Sequence, residues 1–229
     1  MKSHPHLSIV IPVFNEEGSI IPLFTSIVNA LHCYNYELIF IDDCSTDSTA
    51  AVIKSIDDPR VNLISFDCNK GQSSALAAGI QFATGTYIVT MDGDFQNDPS
   101  DVPKMIDLIF NEDLDMVIGI RHNRQDPILK TLPSKIANFI IRTTTQLQIT
   151  DSGCALKVMT SKAAKRIPLY GELHRFMVLN AHINGALIKE IPIIHHPRIH
   201  GISKYGLGRT FKVIKDLSVI IIKHKMSKQ

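Results

Sequence analysis

Two short acidic clusters carry most of the recognisable chemistry in this 229-residue chain. The first, Asp42-Asp43-Cys44-Ser45-Thr46-Asp47, directly follows the apolar run 37–41. Ser45 or Asp47 reads as a helix cap. Capping does not account for Asp42 and Asp43, because two carboxylates directly behind a buried strand repel each other unless a ligand uses them. Carboxylates so placed accept hydrogen bonds from a base NH or from ribose hydroxyls, and a nucleoside therefore fits. The second cluster, Asp92-Gly93-Asp94-Phe95-Gln96-Asn97-Asp98, follows the run 87–91. Two carboxylates one residue apart, with Gly93 letting the backbone bend, can offer oxygens to one hard cation. Mg²⁺ and Mn²⁺ suit such a pair, since they take one or two protein carboxylates and complete their shell with water and substrate phosphate. Asp-rich turns are common, so it is the pairing of two clusters at strand ends of one sheet that makes coincidence implausible.

Charge is distributed in keeping with such a site. The chain is 45% hydrophobic and 20% charged, enough to bury a core and too apolar for a disordered or fibrous protein. Its net charge of +2 conceals a split: residues 1–118 hold 5 Lys/Arg against 17 Asp/Glu, residues 119–197 hold 11 against 4, and residues 198–229 hold 8 against 1. An acidic front half joined to a basic back half suits a site where carboxylates hold a cation and basic groups hold anions.

The elements that position the clusters follow from periodicity. β-Branched runs at 7–13, 37–41, 61–66, 87–91 and 115–119 have the length of buried parallel strands. Helical patterns lie between them at 19–31, with Pro22 in the first turn, and at 47–57, 73–84 and 100–111, the last opened by Ser100. This alternation predicts an α/β fold, an open and mostly parallel sheet flanked by helices, whose ligands sit at the carboxyl ends of the strands. Beyond Gly119 the pattern predicts a helix over 134–148, short strands near 154–159 and 187–194, a helix near 174–184, and a basic amphipathic helix over 207–225.

Pro12-Val-Phe-Asn15-Glu16, Asp42-Asp43-Cys-Ser45-Thr-Asp47, Asn69-Lys70-Gly71 with Ala75 and Gly79, and Asp92-Gly-Asp94-Phe-Gln96 stand in the order and spacing of family 2 glycosyltransferases. The chain therefore resembles that family, whose fold is the GT-A type, a Rossmann-like nucleotide-binding half plus an acceptor half. Asp151-Ser-Gly153, His174-Arg175-Phe176, and His196-Pro-Arg198 followed by Gly201-Ile-Ser203-Lys204-Tyr205-Gly206 resemble its dolichyl/polyprenyl-phosphate sugar transferase branch. The resemblance implies inverting transfer of a sugar from a nucleoside-diphosphate sugar to a polyprenyl phosphate, with Mg²⁺ or Mn²⁺. It implies that Pro12, Glu16 and Asp42 or Asp43 line the nucleoside pocket with Lys70 nearby, that Asp92 sits beside ribose and metal, and that Asp94 and Gln96 ligate the ion. Arg198, Ser203 and Lys204 resemble the loop that closes over the phosphates. Cys44 departs from the family, which commonly has Gly there, and the departure bears on the local turn.

The acceptor decides what the remaining residues must do. A lipid phosphate is already anionic and needs arginine to hold it; Arg121, Arg124, Arg142 and Arg175 qualify, with Arg121 best placed behind the fifth strand. A glycan or protein hydroxyl would need a base, and Asp151 then serves, although Asp151-Ser-Gly153 reads equally well as a turn. His195, His196 and His200 suit support of the phosphate loop better than zinc, since adjacent strand residues face opposite ways. Gly206-Leu-Gly208 lacks the third glycine of a dinucleotide fingerprint, and the glycine-rich Arg loop of a nucleotidyltransferase is missing. The basic charge has no interleaved aromatics, which argues against nucleic acid.

Residues 1–206 are expected to form one catalytic domain, with 1–120 the nucleotide-sugar half and 121–206 the acceptor half, followed by the helix in 207–229. That helix either packs on the core or docks on anionic lipid through Arg209, Lys212, Lys215, Lys223 and Lys225. Four scattered cysteines, no Cys-x-x-Cys pair, no leader before Leu7 and no run near 20 apolar residues predict a cytoplasmic chain, peripheral at the inner membrane face.

Overall fold

The structure, a computed structural model, describes residues 6–121, 147, 149–197 and 220. Seven strands form one sheet: β1 (His6–Val13), β2 (Asn35–Asp42), β3 (Val61–Ser65), β4 (Tyr87–Thr90), β5 (Met116–Arg121), β6 (Lys157–Thr160) and β7 (Ile188–Ile193), in the order β3-β2-β1-β4-β6-β5-β7. β3, β2, β1 and β4 pair in parallel, as do β5 and β7, while β6 runs antiparallel to both its neighbours. Six strands thus point one way. The sheet is mostly parallel, as expected, with β6 the exception.

Burial explains why these runs are strands. Leu7, Ile9, Val10 and Ile11 of β1 and Leu38, Ile39, Phe40 and Ile41 of β2 are all fully buried, so both faces of the central strands are covered. The helices α1 (Glu17–Ala30), α2 (Thr49–Lys54), α3 (Gln72–Phe82) and α4 (Val102–Asn111) lie between the first five strands. α3 packs tightly on the sheet through Gly79, where a Cβ would come within 2.5 Å of Val10 Cγ1 and 2.6 Å of Ile41 Cδ1. That close approach sets the helix's start, Gly71 to Ser73, beside the carboxyl ends of β1 and β2.

Three helix starts differ from expectation. α1 begins two residues early, so Pro22 lies within the helix rather than in its first turn. Asp98, not Ser100, caps the 3₁₀ turn Pro99–Asp101 ahead of α4 by accepting from Ser100 N. α2 begins at Thr49 rather than Asp47, with Ser48 and neither Ser45 nor Asp47 in the cap position and no side-chain capping bond; the Asp47 carboxylate accepts from Thr49 N, and Ser45 Oγ accepts from Asn15 N. In the later half, a short helix α5 (Ser161–Arg166) follows β6 directly, capped by Thr160 Oγ1, and had no counterpart in the periodicity. The helix expected at 174–184 divides into a 3₁₀ turn, Leu173–Phe176, and α6 (Met177–Ile183). The helices expected over 134–148 and 207–225 lie outside the described residues, apart from Leu147 and Ile220.

At the amino ends of the strands a hydrogen-bond network fastens the sheet. One Glu37 carboxylate oxygen accepts from Ser8 Oγ, Thr84 N and Thr84 Oγ1, and Ser8 Oγ accepts from Gly85 N. Burial alone would raise the Glu37 pKa; these hydrogen bonds outweigh it and hold the carboxyl below its usual range.

Candidate active site

The carboxyl ends of β1, β2 and β4 share an unusual backbone. Asn15, Cys44 and Phe95, just beyond those ends, have φ of 54°, 65° and 58°. Left-handed backbone at ordinary residues costs about 1 kcal/mol or more each and gathers where a site imposes it. Cys44 therefore adopts the conformation that the glycine common in the family would reach without strain. Gly93 completes the crowding: a Cβ there would stand 2.6 Å from Val13 Cγ1 and 3.3 Å from Pro12 O. The 92–98 loop thus crosses directly over the end of β1.

The acidic residues converge on this edge. Asp42 and Asp43 are only 4% and 5% exposed. Asp42 Oδ1 accepts from Ser45 N, shaping the turn. Asp43 accepts from Lys70 N at 2.6 Å and Gly71 N at 2.9 Å, so its carboxylate pins the loop ahead of α3. The next residue, Gln72, donates through Nε2 to Asp92 Oδ1 at 2.8 Å. One chain of hydrogen bonds therefore runs from the end of β2 to the end of β4. The Lys70 ammonium sits over the Phe66 ring, 4.6 Å from its centroid. Glu16 N donates to Thr49 Oγ1, joining the starts of α1 and α2.

Asp94 is 7% exposed and accepts from Gln96 N. The Gln96 side chain donates through Nε2 to His196 O, and His196 N donates to Gln96 O. Asn97 and His195 form an antiparallel bridge, His196 Nε2 lies 2.9 Å from Asp98 Oδ2, and the His196 ring stacks near Phe95. Burial would raise the Asp98 pKa, but its bonds to His196 and Ser100 hold it low. The residues just ahead of Arg198 are thereby fastened to the loop that carries Asp92, Asp94 and Gln96. Arg198, Ser203 and Lys204 themselves, like Arg124 and Arg142, lie outside the described residues.

Arg121, the last residue of β5, pairs with Asp151 through Nε to Oδ2 at 2.8 Å and Nη2 to Oδ1 at 2.7 Å. Burial would lower the pKa of this guanidinium, and the bond to Asp151 more than offsets it. Asp151 is held in turn by Glu190 on β7, whose carboxylate accepts from Asp151 N, Thr150 N and Thr150 Oγ1. Arg175, the other described arginine of interest, pairs with Glu172 at 3.1 Å.

Several contributing residues were not visible in the sequence. Lys157, 3% exposed on β6 between Thr90 and Ile118, donates from Nζ to Cys154 O, and burial lowers its pKa. The charge of Asp92 favours the protonated form of Arg121 and, against the larger effect of burial, that of Lys157. Burial pushes the Cys154 thiol beside them up to about 11. Gln72, Glu190 and Ser73, whose Oγ contacts His174 Nδ1 at 2.8 Å, are others. The Gly71-Gln72-Ser73 start of α3 was the available signal for two of them; nothing local marked Lys157 or Glu190.

Among the described residues no three His, Cys, Asp or Glu side chains gather as a metal cage, and no helix is long and apolar enough to cross a membrane. The oxygen donors of Asp92 and Asp94 fit a hard divalent cation that takes one or two carboxylates and draws its other ligands from phosphate and water.

Comparison with known proteins adds a family to this geometry. Dodecaprenyl-phosphate galacturonate synthase of Rhizobium johnstonii is 41% identical over 221 residues, covering 92% of this chain and 65% of that protein. Undecaprenyl-phosphate 4-deoxy-4-formamido-L-arabinose transferase of Edwardsiella ictaluri is 32% identical, covering 94% and 68%. The chain therefore spans about two thirds of the length of these relatives, and of the first slightly less. Glucosyl-3-phosphoglycerate synthase from Mycobacterium tuberculosis, solved with Mn²⁺ and uridine-diphosphate-glucose, superposes with a TM-score of 0.76 over 95% of this chain and 79% of that one, at 17% identity. That likeness bears on the fold, which is of the GT-A type. Over residues 8–169 the sequence matches the profile of glycosyl transferase family 2, and the chain belongs to that family.

Proposed function

We propose that the protein transfers a sugar, with inversion, from a nucleoside-diphosphate sugar to a polyprenyl phosphate. The observation that carries the reading is the convergence of the β2 and β4 acidic clusters on one sheet edge, joined through Asp43, the 70–72 loop and Asp92. The two relatives support the substrate classes, since both are named for polyprenyl-phosphate products or acceptors.

Asp42 and Asp43 with Pro12 and Glu16 line the nucleoside side of the crevice in this reading. Asp92 and Asp94, with Gln96, hold Mg²⁺ or Mn²⁺, which supplies charge stabilisation for the departing nucleoside diphosphate without a proton. Arg198, Ser203 and Lys204 cover the phosphates, and Lys70 stands nearby. Arg121 binds the acceptor phosphate, whose oxygen is anionic near neutral pH and needs no base. The two hydrogen bonds that Arg121 donates to Asp151 favour this over a hydroxyl acceptor, because they commit both Asp151 carboxylate oxygens to the guanidinium. Residues 1–206 are the catalytic unit, with donor half 1–120 and acceptor half 121–206, and the basic segment 207–225 docks it on the cytoplasmic membrane face.

Radiolabelled uridine and guanosine sugar nucleotides, incubated with the full chain, Mn²⁺ and a short polyprenyl phosphate, test the reading. Label passing into an organic-soluble, acid-labile product is expected. Label passing to a hydroxyl acceptor in place of the lipid phosphate would overturn the acceptor assignment, and hydrolysis or binding alone would overturn transfer.

A further inference from the structure

The geometry points to a redox modification site at the crevice rim: Cys44 and Cys68 form a thiol pair that closes to a disulfide. Cys44, half-buried, follows β2, and its Sγ lies 3.7 Å from the carbonyl oxygen of Asp67. Cys68 is the next residue and is exposed. Pairing between the two chain segments continues past the strands themselves, since Phe66 N donates to Asp42 O. Given the fixed dimensions of a trans peptide, the Cys44 sulfur lies no more than about 6.5 Å from the Cys68 Cα. A side-chain rotation and a small shift of the exposed 67–69 turn are what bringing the two sulfurs to bonding distance requires. Neither remaining cysteine competes: Cys154 is buried, and Cys33, though exposed, lies between α1 and β2 at the opposite edge of the sheet.

The oxidant is a small-molecule disulfide such as glutathione disulfide. The Cys68 thiolate attacks one of its sulfurs, forming a mixed disulfide and releasing one glutathione. Cys44 then attacks the Cys68 sulfur, releasing the second glutathione. Two protein thiols are oxidised by two electrons, and glutathione disulfide is reduced to two thiols that take up the protons. The new bond tethers the loop whose Lys70 and Gly71 amides hold Asp43 and whose Gln72 holds Asp92. It thereby couples thiol redox state to the crevice. This inference is independent of the proposed transfer reaction.

The test uses the full chain carrying Cys33→Ser, treated with glutathione disulfide, alkylated and digested with trypsin. Fragments 3–54 and 61–70 then each contain one cysteine of the pair. The expected result is a joined fragment about 2 Da lighter than the two free-thiol fragments together, absent after dithiothreitol and scarcer when oxidation is carried out in urea. Persistent glutathione adducts on separate fragments, a link to Cys154, or an equal yield from the unfolded chain would overturn the site.

Discussion

Replacing Asp151 by Asn removes the charge that two Arg121 nitrogens share. The two bonds are 2.8 and 2.7 Å long, and the side chains are 14% and 16% exposed, so little water screens the pair. Leaving one member of such a pair without its partner costs about 3–5 kcal/mol. Asparagine keeps the shape and can still accept one bond, which places the expected loss near the lower end, about 3 kcal/mol. Urea unfolding of the full chain measures it, with Arg121→Met and the double variant completing a cycle. The double variant should lose less than the sum of the singles, by about 2 kcal/mol. A loss under about 1 kcal/mol in Asp151→Asn, or strict additivity, would refute the pairing argument. Transfer assays separate the roles further. Arg121→Met should lower turnover on the order of 10²–10³, and Asp151→Asn less, with its pH profile unchanged. Full stability with abolished transfer in Asp151→Asn would instead make Asp151 the base.

Acid should weaken the fold through carboxylates whose pKa lies below the usual range, among them Glu37, Asp47, Asp58 and Asp98. Since the folded pKa is depressed, their contribution is complete above about pH 5 and is lost as pH falls through 4 and below. Glu37→Gln should flatten this acid limb in urea midpoints taken from pH 7 to pH 3, and an unchanged limb would show that the Ser8–Thr84 network does not carry it. His196→Ala should keep the backbone bonds to Gln96 but lose the Asp98 contact and the Phe95 stacking. The Mn²⁺ concentration needed for half-maximal transfer should then rise more than the donor KM, and equal rises in both would show that His196 does not serve the 94–98 loop.

How legible the molecule is from its sequence varies with how local the determinant is. The runs at 7–13 and 37–41 became β1 and β2 because strands buried on both faces need mostly apolar residues, which Ile9-Val10-Ile11 and Leu38-Ile39-Phe40-Ile41 supply. Strand order is not local: nothing in Lys157–Thr160 announces that this segment slots antiparallel between β4 and β5. Lys157 reads as a surface lysine until that placement buries it, and Glu190 reads as one polar residue of an alternating edge strand. α5 did carry a signal, Thr160 ahead of Ser161-Lys162-Ala163, which is a usable N-cap pattern. The acidic clusters were legible because their spacing is itself chemical, but the link between them through Gln72 required the approach of α3 to the sheet at Gly79. The roles of Asp42 and Asp43 as loop anchors, beyond any ligand role, emerge only from the backbone amides they hold.

Calorimetric titration of Mn²⁺ into the full chain, held with uridine or guanosine diphosphate, reaches the central claim most directly. The account predicts one cation per chain that binds with the nucleotide present, and a loss of affinity greater than about tenfold in Asp94→Asn at an unchanged unfolding midpoint. Equal Mn²⁺ affinity in the two proteins would contradict it.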